Sequence, residues 1–195
     1  CNDTAGNKNY TTAVTFSKDT IVPFLSISYP ANTTYIINVS ALNYTSDGAS
    51  CWYSNSSGVW NSTAVTCGIN FTNVISSEGS NTWTLYSNDS AGNLNSTNVT
   101  FFKDTVAPGV TITSPLNQTY TTSSINFNFT LSEAGTCLYS LNSGVTNYSM
   151  TANASNTGFN ATNTSIADGS YTVKAYCNDT AGNKNYTTYK DFGKD

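Results

Sequence analysis

Apolar and polar side chains alternate over short stretches of this chain. In Tyr35-Ile36-Ile37-Asn38-Val39-Ser40-Ala41, the residues Tyr35, Ile37, Val39 and Ala41 alternate with more polar neighbours, and farther on Ile125, Phe127, Phe129 and Leu131 are set against Asn126, Asn128 and Thr130. A period of two buries one face and wets the other, so both stretches predict β-strands. The same alternation runs through Trp83-Thr84-Leu85-Tyr86, Tyr171-Thr172-Val173-Lys174-Ala175 and Val99-Thr100-Phe101. No segment carries a convincing helical period. Asn-rich and Gly-containing runs break the strands at short intervals, while Thr, Tyr, Phe, Val and Ile suit pleated, half-buried positions. The expected class is all-β, with antiparallel β-sandwich domains.

The strands recur. Cys1 to Thr12 returns letter for letter as Cys177 to Thr188, and Ser87-Asn88-Asp89-Ser90-Ala91-Gly92-Asn93 matches Cys1 to Asn7 with two changes. Pro30-Ala31-Asn32-Thr33-Thr34-Tyr35 answers to Pro115-Leu116-Asn117-Gln118-Thr119-Tyr120, and Lys18-Asp19-Thr20-Ile21-Val22-Pro23 to Lys103-Asp104-Thr105-Val106-Ala107-Pro108. A unit of about 90 residues is long enough to bury a small core of its own, which favours independent modules over a solenoid. The expected division is 1–19 as the terminal hairpin of a preceding module, then modules at 20–104 and 105–195 joined by short linkers, within a larger period of about 176 residues. A mature lipoprotein bearing lipid on Cys1 is the alternative, weakened by the copy of that motif at Cys177 inside the chain.

Composition narrows the class. Charged residues are 9% of the chain, hydrophobic residues 38% and aromatic residues 13%, which is not the make-up of a disordered segment. Net charge is -4 with seven lysines and no histidine. A chain so poor in cations has no patch to hold phosphate backbones, so no nucleic-acid partner is expected. No apolar run approaches the ~18 to 20 residues needed to span a bilayer, so no membrane span is expected within these residues.

The repeated Asn-Asp-Thr-Ala-Gly-Asn lies between strand-like runs. Asp, Gly and Asn close tight turns through side-chain bonds to backbone and through tolerance of positive φ, so the hexapeptide reads as a hairpin tip rather than a ligand loop. Together with Lys103-Asp104-Thr105-Val106-Ala107-Pro108-Gly109-Val110-Thr111-Ile112-Thr113-Ser114-Pro115, it resembles the tandem immunoglobulin-like repeats of bacterial and archaeal cell-surface proteins and adhesins. The resemblance covers the whole chain and implies rod-like surface arrays of Ig-like sandwiches. It also implies calcium candidates, because such adhesins sometimes hold calcium at the joints between modules, where Asp19 and Asp104 stand here. No DxDxDG loop accompanies them. Ala175, two residues before Cys177, stands where antibody-type domains carry the corner tyrosine.

The five cysteines follow the repeat. The second module has Cys137 and Cys177; the first has Cys51 at the place of Cys137, but Ser87 at the place of Cys177 and an additional Cys67. Loss and gain match, so the expected disulfides are Cys137 with Cys177 and Cys51 with Cys67, leaving Cys1 to a partner outside these residues. With no CxxC spacing and no histidine, a metal site of soft ligands is not expected. Disulfides imply an oxidising, extracytoplasmic setting.

Asparagines carry the densest signal. N-x-Ser/Thr acceptor sites stand at Asn2, Asn9, Asn32, Asn38, Asn43, Asn55, Asn61, Asn70, Asn88, Asn95, Asn98, Asn117, Asn128, Asn147, Asn153, Asn160, Asn163, Asn178 and Asn185. That is 19 of 27 asparagines, where the frequency of Ser and Thr would give about 8 by chance. The alternative, a polar β-surface merely rich in these residues, does not explain the scarcity of charge. A coat of N-linked glycans would supply the solubility and the shielding of strand edges that so few ions cannot.

Catalysis is not expected. Without histidine there is no imidazole base, and the two glutamates, Glu78 and Glu133, show no spacing that pairs carboxylates in a cleft; Asp47 stands near Cys51 much as Glu133 stands near Cys137. The chain is expected to be extracellular, at the cell surface, and partnered by further copies of the same module in the same chain or in a fibre. The alternative is an adhesin that binds through Trp52 and Trp60, against which both tryptophans belong to one module alone. The hairpin at 1–19 is expected to finish an upstream module of its own chain rather than to be donated to another subunit.

Overall fold

The computed structural model describes residues 1–10 and 13–195; Thr11 and Thr12, the last two letters of the opening motif, lie outside the described residues. Eighteen strands and no helix make up the regular structure of the described residues. In chain order they are β1 (Leu25–Tyr29), β2 (Thr34–Tyr35), β3 (Ala41–Ser46), β4 (Ser50–Ser54), β5 (Val65–Thr66), β6 (Phe71–Thr72), β7 (Gly79–Asn88), β8 (Leu94–Lys103) and β9 (Val110–Ser114). There follow β10 (Thr119–Tyr120), β11 (Ile125–Leu131), β12 (Gly135–Ser140), β13 (Tyr148–Ser149), β14 (Thr151–Ala152), β15 (Gly158–Asn163), β16 (Gly169–Asp179), β17 (Lys184–Asn185) and β18 (Tyr189–Lys194). Chain contacts divide the molecule into two compact units, one of residues 1–30, 41–73 and 82–99, the other of residues 31–40, 74–81 and 100–195.

In the second unit, alternation translates directly into layers. Along β11 the odd-numbered residues Ile125 to Leu131 are buried and the residues between them exposed. This strand pairs antiparallel with β15 on one side and β9 on the other, giving a four-stranded sheet of order β14-β15-β11-β9. Facing it is the sheet β10-β18-β16-β12-β13, with β17 also paired to β16. One core cluster takes Ile112, Phe127, Phe129 and Phe159 from the first sheet and Tyr139, Val173, Ala175 and Phe192 from the second. Phe127 and Tyr139 stack across it with ring centroids 4.2 Å apart. Two amphipathic sheets closing on one apolar layer are a β-sandwich.

In the first unit, β1, β3 and β6 form a three-stranded sheet, and β4, β5 and most of β7 and β8 belong to the sheet of order β2-β8-β7-β4-β5. Its core includes Leu42, Tyr44, Phe71, Trp83 and Leu85. The strand expected over Tyr35–Ala41 is displaced: β2 ends at Tyr35, β3 begins at Ala41, and Ile37 is 62% exposed. The backbone here is held by other means, since Val39 N donates to Ser76 Oγ at 3.2 Å and Val74 N to the Ser40 carbonyl at 3.0 Å. Only the stretch from Ala41 finds β1 and β6 as ladder partners.

The two proline motifs do the same work in both sheets. After Pro30 and Pro115, both buried, a two-residue strand pairs in parallel with the last long strand of its sheet: β2 with β8 and β10 with β18. Tyr35 Oη accepts a bond from Ala31 N at 2.9 Å, and Tyr120 Oη one from Leu116 N at 2.8 Å. The shared tyrosine thus closes the turn that follows each proline.

Candidate functional site

The repeated hexapeptide is a turn in each copy. Asp3 Oδ1 accepts from Ala5 N and Asn7 N, and its Oδ2 from Asn7 Nδ2 at 2.8 Å. Asp89 does the same with Ala91 and Asn93, its Oδ2 also accepting at 2.8 Å. Asp179 accepts from Gly182 N at 2.7 Å, Asn183 N at 2.9 Å and Asn183 Nδ2 at 2.9 Å. Gly6, Gly92 and Gly182 all hold positive φ, between 86° and 101°, which favours glycine at that position.

Of the two calcium candidates, Asp104 alone stands, among the described residues, in a cluster of carboxylates. Asp104, Glu133 and Asp179 each turn a carboxylate oxygen so that all three lie within 4.8 Å of one another. Asn183 ties the group together, its Nδ2 donating to the Asp104 carbonyl and Oδ1, both at 3.1 Å, as well as to Asp179. Burial, and then the negative charges of Asp104 and Asp179, push the Glu133 carboxyl above its ordinary value. Three carboxylate oxygens are about half of the six to eight that calcium takes, so a cation here would keep several waters. Asp19 instead folds onto its own turn, accepting from Ile21 N at 3.0 Å. Asp47, the counterpart of Glu133, accepts from Phe24 N at 2.6 Å. Sequence reasoning missed Asp179 because its turn role accounts for it; the signal was that the acid near each cysteine and the acid of each hairpin recur together.

Both disulfides are present as expected, and neither crosses a sandwich. Cys137 and Cys177 are directly opposed residues of β12 and β16, neighbours in one sheet, with Cα atoms 4.2 Å apart. Opposite Cys51 in β7 stands Ser87, and Cys51 bonds instead to Cys67, just past β5 on its other flank. The Ser87 hydroxyl is 3.5 Å from Cys67 Sγ and 2.9 Å from Ser46 Oγ. The exchange of cysteines between modules is therefore a choice of neighbouring strand. Cys1 is free and exposed.

The tryptophans separate. Trp83 is core; Trp52 lies half-buried against Tyr86, its cross-strand partner, with centroids 5.5 Å apart. Trp60 is 53% exposed and meets Tyr53 edge-on at 5.9 Å. A cleft of about 500 Å³ lies along β10, β16 and β18, lined by Asn117, Thr119, Tyr171, Thr172, Asp191 and Phe192, with Asp191 its one carboxylate. None of the 19 acceptor asparagines is buried, whereas Asn81, which is not an acceptor, is.

No protein-family model matches the chain, and no curated protein sequence matches it. Among solved structures, the chain is similar to a three-domain titin fragment, an E-to-A variant of I67–I69, at 11% identity and a TM-score of 0.55 over 89% of its residues. It is likewise similar to the I-band fragment I67–I69 of titin at 12% identity and a TM-score of 0.53. The chain spans 65% of each titin fragment. At such identity the likeness concerns fold: the chain is an all-β protein of Ig-like sandwiches. Its intramolecular disulfides point to an extracellular or secreted domain.

Proposed function

We infer that this chain is a structural segment of a heavily N-glycosylated extracellular filament, stalk or surface-layer protein built from repeated Ig-like modules, at the surface of a prokaryotic cell. The observation that carries this reading is the fate of one motif in two places. Cys177 is disulfide-bonded and Phe192, fifteen residues on in the same sequence frame, is 3% exposed in a sandwich core. Cys1 is free, and Phe16, in the same frame, is 86% exposed. The same turn thus recurs at Asp3 to Asn7, while among the described residues Phe16 packs into no core as Phe192 does.

An adhesin stalk is the second reading, favoured by exposed Trp60 beside Tyr53. Electron microscopy of native surface material separates the two. Continuous beaded fibres with density at the acceptor asparagines are expected; short isolated rods with bare asparagines would leave the adhesin as the reading to pursue.

A further inference from the structure

Acceptor sites that are equal as sequence are unequal as structure. Glycosylation takes place at Nδ2, and in two equivalent positions of the repeated hairpin that atom is already committed. Asn95 Nδ2 donates to the Pro23 carbonyl at 2.8 Å, and Asn185 Nδ2 to the Pro108 carbonyl at 2.9 Å. Both asparagines are half-buried and both prolines buried. The other end of each amide is engaged as well: Asn95 Oδ1 accepts from Ser96 N at 2.8 Å, and Asn185 Oδ1 from Thr187 N at 3.1 Å and Thr187 Oγ1 at 3.0 Å. Each side chain fastens a hairpin to the segment that precedes the first strand of the same module, and it does so across 72 residues in one case and 77 in the other.

At six other acceptor positions the amides are open, whereas Asn178, for one, has its Nδ2 bonded to the Asp179 carbonyl at 3.1 Å. Asn32 and Asn117 occupy the same place after the two prolines; Asn38, Asn98, Asn128 and Asn160 stand on other parts of the surface. All six are exposed, and no described residue bonds their side chains. Asn128 and Asn160 face each other on β11 and β15, on the outer face that also presents uncharged Asn126, Thr130 and Thr162.

We propose that the acceptor asparagines divide by this criterion: Asn32, Asn38, Asn98, Asn117, Asn128 and Asn160 carry N-glycans, while Asn95 and Asn185 stay unmodified and act as locks. The inference rests on the glycan-coat reading above. Transfer from a sugar diphosphate forms the Nδ2–C1 bond as the C1–O bond breaks; the diphosphate leaves with the electron pair and the amide gives up one proton. One of the two N–H bonds is then replaced by a sugar ring. At Asn95 and Asn185 that ring competes with a buried proline carbonyl for the space around the nitrogen, whereas at the open sites it displaces only water. A sugar added to Asn95 or Asn185 before folding crowds the one N–H left to donate to the proline, which disfavours the lock, so the folded population is bare there.

The test is site-by-site occupancy on the native glycoprotein, by electron-transfer fragmentation of its intact glycopeptides. Occupancy at Asn117 and Asn128 is expected at least tenfold above that at Asn95 and Asn185. Comparable sugar at Asn95 or Asn185 would overturn the division and leave the coat standing; bare asparagines throughout would overturn both. Unfolding of the chain with N185Q, against N117Q as the control, reads the lock itself: the midpoint is expected to fall for N185Q alone, and equal midpoints would refute the lock.

Discussion

At the scale of single residues, a carboxylate does in this chain what a stretch of ladder does elsewhere. Asp179 is 2% exposed and accepts three bonds from its own turn, whose donors lie in a surface turn where water replaces part of what the carboxylate supplies, so their loss together costs less than the sum of single charge-assisted bonds. Asp179→Ala should therefore cost about 2 to 4 kcal/mol in chemical denaturation, whereas Thr180→Ala, an exposed neighbour, should cost about 0.5 kcal/mol or less. The cysteines make a second prediction. Because Ser87 already stands opposite Cys51, the pair of substitutions C67S and S87C should redirect the bridge to positions 51 and 87, as found by peptide mapping under non-reducing conditions. C67S alone should cost about 2 to 4 kcal/mol. A free thiol at both positions of the double variant would show that register alone does not decide pairing.

At the scale of elements, the acid cluster gives the pH response. Glu133 holds its proton more tightly in the folded chain than in the unfolded one, because burial and then Asp104 and Asp179 disfavour its anion. Its contribution to stability is therefore full below the ordinary glutamate value and is lost as pH rises through the raised folded value. E133Q, which never ionises, should be more stable than the parent near neutrality, with the difference closing by about pH 4. Parallel stability profiles would mean that the carboxylate is under no such pressure. How much of this was legible varies by element. β11 and β16 were readable because a sandwich-core strand with partners on both sides imposes strict alternation. The residues after Tyr35 were not, since Val39 is anchored through Ser76 rather than through a ladder, and local pattern cannot foresee a partner 37 residues away. The disulfides were legible because a gain and a loss of cysteine compensated each other. Asp179 was not, because a turn already explained its presence.

At the scale of the molecule, repetition and disulfide placement act together on what happens when the chain is pulled. A sandwich that unravels under load lengthens only by the residues not enclosed by its bridge. The separation of 40 between Cys137 and Cys177 withholds roughly 140 Å of extended chain at ~3.5 Å per residue. The separation of 16 between Cys51 and Cys67 withholds roughly 55 Å on the same count. Single-molecule force spectroscopy should accordingly give two step lengths, the longer from the half that contains Cys51, and both should grow to similar values once the bridges are reduced. Steps of one length under oxidising conditions would contradict this. The strand that each cysteine bonds to, its left-hand or its right-hand neighbour, thus sets the slack the chain yields before it tightens. A protein that must stay anchored while being tugged would hold both a short and a long reserve of extension.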